Sequence, residues 1–141
     1  MKEYQAQATI HASADTIWAI LIDASAYPEW DPYCDKIEGR IALGEKIKAF
    51  SKLSPGRAFP VKVTEMVPNQ SMIWSGGMPF GLFKGVRTFT LTPEDSTSTT
   101  VTLREVFSGP FLVLIGGSIP DMSEAFEKFV AGLKSRAETP A

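Results

Sequence analysis

Tyr4, Ala6, Ala8 and Ile10 alternate with Gln5, Gln7, Thr9 and His11, the period-two pattern of a strand with one wetted face. Ser13 then stands where an N-cap belongs, and Asp15 falls in the next turn. Both favour a helix start, so Thr16-Ile17-Trp18-Ala19-Ile20-Leu21-Ile22 is read as helical. Tyr27-Pro28-Glu29-Trp30 predicts a second short helix ended by Pro32. From there the pattern is strand and turn. Strands are predicted over Asp35–Ile41, Glu45–Leu53, Phe59–Val67, Ser71–Ser75, Val86–Thr92 and Thr99–Ser108. Breaks fall at Gly44, Ser54-Pro55-Gly56, Pro68-Asn69, Gly76-Gly77 and Pro93–Ser98. No helix intervenes, so consecutive strands pair as antiparallel hairpins. After Ile119-Pro120-Asp121 the residues Met122, Phe126, Phe129 and Leu133 recur on one helical face, with Glu124, Glu127, Lys128 and Lys134 elsewhere.

A long one-sided helix after a run of strands buries its apolar stripe on the sheet. The expected fold is therefore α+β: a seven-stranded antiparallel sheet curved around a long C-terminal helix, with two short helices after the first strand. Residues 1–141 are read as one domain, since 141 residues is an ordinary domain length.

Composition narrows the function classes. The hydrophobic share of 44% excludes a disordered chain, and a net charge of −2 speaks against a broad nucleic-acid face. Cys34 and His11 are the single cysteine and histidine, too few for a disulfide or a structural zinc site. Neither a metal nor a cofactor is expected, because metal-ligand spacings and phosphate-binding glycine loops are missing from the sequence. No signal-like or membrane-spanning apolar run is visible, which makes the cytoplasm the expected location and stable membrane insertion unexpected.

Three segments carry a resemblance. They are Ala12-Ser13-Ala14-Asp15-Thr16-Ile17-Trp18 with Tyr27-Pro28-Glu29-Trp30, the pair Val86–Leu91 and Thr102–Gly109, and the terminal helix through Phe129–Glu138. On these the chain resembles the START-like superfamily of polyketide cyclases, dehydrases and lipid carriers (SRPBCC type), whose fold is the helix grip. The resemblance implies a hydrophobic ligand cavity between sheet and long helix. Its members include lipid and quinone carriers, aromatic polyketide cyclases, hormone receptors and chaperone-ATPase activators, so it implies no particular reaction.

Within such a cavity the last hairpin makes a specific expectation. A turn centred on Ser96 pairs Leu91 with Val101, Phe89 with Leu103 and Arg87 with Glu105, all facing the helix. Arg87 and Glu105 then form a structural ion pair, or else a polar anchor for a ligand carboxylate or carbonyl. The expected pocket lining is Trp30, Phe50, Trp74, Met78, Phe80, Arg87, Phe89, Leu103, Glu105, Phe107, Met122, Phe126 and Phe129. Glu65 shares a strand face with Val63 and Val67 and is a candidate acid or base, or a solvated strand-end residue. His11 falls on a polar face and reads as a solvent-facing or turn-supporting group. Cys34 lacks the adjacent positive charge that an activated thiolate needs.

Met78–Phe83 and Pro110–Gly117 are unusually apolar for loops. They cap the space between sheet and helix, gate it through Gly116-Gly117, or form a face for membrane or protein. The leading reading is a protein that binds or carries a small hydrophobic molecule of lipid, quinone or aromatic polyketide type. The alternatives are a cyclase or dehydratase using Glu105 or Glu65 as acid/base, and an interaction module that uses the apolar loops to hold a protein partner or a second copy.

Overall fold

The computed structural model describes residues 1–115, 117 and 119–139. Strand β1 (Lys2–Ile10) is followed by helix α1 (Ala14–Leu21) and the short α2 (Tyr27–Trp30), joined by a 3₁₀ turn at Ala24–Ala26. Then come β2 (Cys34–Glu38), β3 (Lys46–Ser51), β4 (Ala58–Val67), β5 (Ser71–Gly77), β6 (Lys84–Asp95) and β7 (Ser98–Ser108). One-turn α3 (Leu112–Ile115) precedes the long α4 (Ser123–Glu138). The strands form a seven-stranded antiparallel sheet in the order β1-β7-β6-β5-β4-β3-β2. The fold is the α+β helix grip, with α4 packed on the curled sheet.

The alternation in β1 behaves as its pattern demands. Ala6 and Ile10 are buried, whereas Gln5, Gln7 and Thr9 are exposed. Ser13 occupies the extended backbone position that begins α1, but its hydroxyl lies 3.0 Å from Thr16 Oγ1 and caps no backbone N–H. The start of α4 is later than Asp121: the Asp121 carboxylate accepts the Ser123 N–H at 2.9 Å, and the helix opens there. The stretch expected to be a loop at Pro110–Gly117 contains the single turn α3; Gly116 lies outside the described residues.

The core fills one end of the grip. Ile17 and Leu21 of α1, Tyr27 of α2, Ile47, Val63, Met72, Phe89 and Leu103 of the sheet and Leu133 of α4 are all fully buried. The Tyr27 hydroxyl, buried with them, donates to the Leu21 carbonyl at 2.6 Å, which removes the cost of an unpaired polar group in the core. Gly132 lets α4 lie against the end of α2, because a Cβ there would collide with the Trp30 carbonyl. Trp30 is thereby clamped against Phe129, with ring centres 5.0 Å apart.

Candidate functional site

The other end of the grip is open. A cavity of about 430 Å³ lies between the inner sheet face and α4. Its size and apolar lining suit a small molecule, since ligand pockets run at roughly 300–1,000 Å³. The sheet supplies Ile37, Ala49, Phe50, Phe59, Val61, Trp74, Leu103 and Phe107, and α4 supplies Ala125, Phe126 and Phe129. Met78, Phe83, Ile119, Pro120 and Met122 complete the wall.

The empty space has a cause in the sequence. Gly76 and Gly85 are register partners on the cavity face. A Cβ on Gly85 would press to 3.2 Å from the Phe107 ring, and one on Gly76 to 2.8 Å from the Pro60 carbonyl. Glycine at these positions permits the tight curl and adds no side-chain volume.

Arg87 and Glu105 face each other across β6 and β7, in the predicted register. Arg87 Nε donates to Glu105 Oε1 at 2.6 Å, with the two side chains 27% and 13% exposed. The Arg87 guanidinium also lies 5.1 Å from the centre of the Phe126 ring, so it is held by a carboxylate and an aromatic face together. Burial would lower the pKa of Arg87, but the charge and hydrogen bond of Glu105 outweigh it and raise it.

Asp31 is a second carboxylate on the cavity wall. It sits between α2 and β2, and its Oδ1 accepts the Tyr33 N–H at 3.1 Å. Burial pushes its pKa above the usual aspartate value, against the opposing effects of the Tyr33 N–H, Arg87 and Lys52. Cys34 also lines the cavity, and burial with the neighbouring Asp31 and Asp35 charges pushes its thiol up to about 12. It is not an activated nucleophile, because the thiolate is the reactive form.

Phe50, Trp74, Met78, Arg87, Leu103, Glu105, Phe107, Met122, Phe126 and Phe129 are brought together on this wall. Three residues expected there are elsewhere. Trp30 is sealed in the core by Phe129 and Tyr27 and faces a separate cleft beside Gly132. Phe89 is fully buried one step deeper in the sheet than Arg87, behind Trp74 at 4.8 Å. Phe80 is 99% exposed, because the turn at Pro79–Gly81 puts it in left-handed backbone (φ 59°) and aims it outward.

Glu65 does not face the cavity either. A bulge between Val63 and Glu65 shifts the register and turns its carboxylate to solvent, where it accepts the Ser71 hydroxyl at 3.3 Å. His11 is exposed; its Nδ1 lies 3.3 Å from Ser98 Oγ and its backbone N–H donates to Glu138 at 2.8 Å. Asp31, Arg57, Phe59 and the glycine pair are among the wall residues that sequence reasoning missed. The usable signal for Asp31 was its place directly after Trp30 in a proline-flanked aromatic turn.

The two apolar loops meet. Phe111 N–H donates to the Leu82 carbonyl at 2.8 Å, and Phe83 stacks on Phe107 with ring centres 5.8 Å apart. Phe80, Val113 and Leu114 stand exposed on this tip, and Met78 and Phe83 join it to the cavity wall.

A curled antiparallel sheet gripping one long helix over an apolar cavity defines a START-type helix-grip domain. The chain belongs to the polyketide cyclase / dehydrase and lipid transport family, whose model matches residues 1–138. Among curated proteins no sequence match is found. Solved structures agree in fold. A START superfamily protein from Mycobacterium smegmatis shares 20% identity over 96% of this chain and 97% of its own, with TM-score 0.70. The Zhui aromatase/cyclase from Streptomyces sp. R1128 shares 13% over 97% and 93%, with TM-score 0.72. A norcoclaurine synthase from Thalictrum flavum shares 15% over 96% and 93%, with TM-score 0.69. At these identities the likeness speaks to the fold. Among the described residues no helix is long and apolar enough to cross a membrane.

Proposed function

We propose that this chain binds or carries a small, mainly apolar molecule in the cavity between the sheet and α4. The observation that carries the reading is the cavity of about 430 Å³ itself, walled by aromatic and aliphatic side chains with a few polar groups among them. Burial of ligand surface supplies the affinity, at about 25 cal/mol per Å² of apolar area. Members of the family and its structural neighbours include both lipid-transport proteins and aromatase/cyclases, which supports an apolar or aromatic ligand.

The two carboxylates first considered for catalysis do not support the enzyme reading, which is left with Asp31, a cavity-wall carboxylate whose pKa burial raises. Glu65 faces solvent, and Glu105 is engaged by Arg87. A general acid or base must reach the proton it moves, and neither group is free to do so. The interaction-module reading has the exposed Phe80 and Leu114 in its favour, but it requires a small pocket and Phe83 is packed on Phe107.

The test is native mass spectrometry of the purified protein, with titration by N-phenylnaphthylamine, a neutral apolar fluorophore. The expected result is a discrete co-purifying molecule or saturable, stoichiometric dye binding. Ala125→Trp places a large ring in the cavity from α4 and is expected to abolish both with the fold intact. Absence of any bound molecule together with absence of saturable dye binding would sink the proposal.

A further inference from the structure

The charged groups on the cavity wall are Asp31, Arg57, Arg87 and Glu105. Arg57 is exposed, with its guanidinium 5.4 Å from the Phe59 ring centre. Arg87 is answered by Glu105 at 2.6 Å. Lys52, whose charge is also felt at Asp31, is held outside by Asp35 at 2.8 Å. Asp31 is therefore the carboxylate in excess: setting exposed Arg57 aside, two acids stand against one guanidinium on the cavity wall.

The Asp31 carboxylate is also short of partners. Among the described residues it accepts one hydrogen bond, from the Tyr33 N–H on Oδ1. An ionised carboxylate has about four acceptor sites. An ordinary ion pair would lower its pKa, whereas burial raises it, so the group is desolvated without full compensation. A donor brought in by a ligand would relieve that deficit, and an O–H to carboxylate bond is among the stronger hydrogen bonds.

Resting on the ligand-binding reading above, we propose that Asp31 is a specificity-determining residue: it accepts a hydrogen bond from a hydroxyl group on an uncharged, otherwise apolar ligand, and the cavity turns away the corresponding carboxylate. A hydroxyl suits Asp31, because it has a proton to donate to that carboxylate while remaining uncharged. A carboxylate ligand has no proton for Asp31 and meets two like charges. A site built around a buried acceptor discriminates more strongly than a merely apolar one, because the mismatched ligand leaves the polar group unpaired.

The test compares three probes of one shape at neutral pH by calorimetry: naphthol, naphthoate and methylnaphthalene. The expected order is naphthol tightest, with at least a roughly tenfold advantage over naphthoate. Asp31→Asn keeps an acceptor for the Tyr33 N–H and so preserves the turn, but it removes the charge. In that variant the advantage should shrink to about threefold or less, while methylnaphthalene binds within about twofold of wild type. Methylnaphthalene binding as tightly as naphthol, or an unchanged ratio in Asp31→Asn, overturns the role of Asp31 and leaves the cavity reading standing. Failure of all three probes to bind overturns both.

Discussion

Replacing Glu105 by Gln tests whether the Arg87–Glu105 pair is part of the fold's stability. The substitution keeps the shape and removes the charge. Two unit charges about 4 Å apart at an effective dielectric of 20 attract by about 4 kcal/mol. Desolvation offsets much of this. Fully buried pairs lose about 3–5 kcal/mol when one partner is removed, and exposed pairs about 0–1. With side chains 13% and 27% exposed, at 2.6 Å and backed by the Phe126 ring, this pair falls between those limits. A loss of about 2 kcal/mol follows, which for a domain of this length corresponds to a fall in Tm of roughly 5–8 °C. The assay is urea unfolding followed by tryptophan fluorescence, run as a double-mutant cycle with Arg87→Met. The coupling energy should be about 1–2 kcal/mol. A paired replacement by leucines should recover stability, since apolar residues of similar volume are tolerated where a buried pair was. A coupling energy within about 0.3 kcal/mol of zero would refute the reasoning, because it would mean that water screens the two groups as it does on a surface.

Two further outcomes follow from single contacts. The Cys34 thiol is raised to about 12 in the folded protein, so the unfolded chain, with a thiol near 8.5, loses its proton first. Stability from this group is intact below about pH 8 and falls as pH rises toward 12, by up to about 1.4 kcal/mol per pH unit; urea midpoints at pH 8 and 10 should therefore differ less in Cys34→Ala than in wild type. Gly132→Ala, which in an exposed helix would be worth a gain of about 1 kcal/mol, should instead cost about 1–3 kcal/mol as overpacking against the Trp30 carbonyl, read as a lower thermal midpoint.

The parts of this molecule that were legible in one dimension are those set by local rules. The β6–β7 hairpin is the best case. Alternation on both strands and a polar turn fix the register, and Leu91–Val101, Phe89–Leu103 and Arg87–Glu105 all pair as expected. The α4 stripe is similar, with Phe126, Phe129 and Leu133 buried and Val130 added to them. Glu65 shows where this stops. Alternation set it on the face of Val63 and left a pocket acid and a solvated strand-end residue both open; one extra residue at the bulge after Val63 turns it to solvent, and nothing in the local composition announces that bulge. Trp30 and Phe89 have the same apolar character as Phe126 and Phe107; whether an aromatic fills the core or walls the cavity depends on which end of the grip its strand or helix position brings it to. Asp31 is polar and looks solvated in sequence. The structure instead holds it half-buried on the cavity wall, in the connection between α2 and β2.

The rows that run across the sheet explain why the cavity opens where it does. Met72, Phe89, Leu103 and Ala6 form one register row on the inner face, and there the space under α4 is filled. The next row is Trp74, Arg87, Glu105 and Tyr4. Beyond it come Gly76, Gly85, Phe107 and Lys2, where two adjacent positions carry no side chain at all. The inner face therefore changes along its length from an apolar packed row, to a row holding the ion pair, to a row opened by two glycines. The ion pair stands at the step between core and cavity. In the core proper its desolvation would have no relief, and at the open rim water would screen it. At the boundary it closes the packed core with a polar floor.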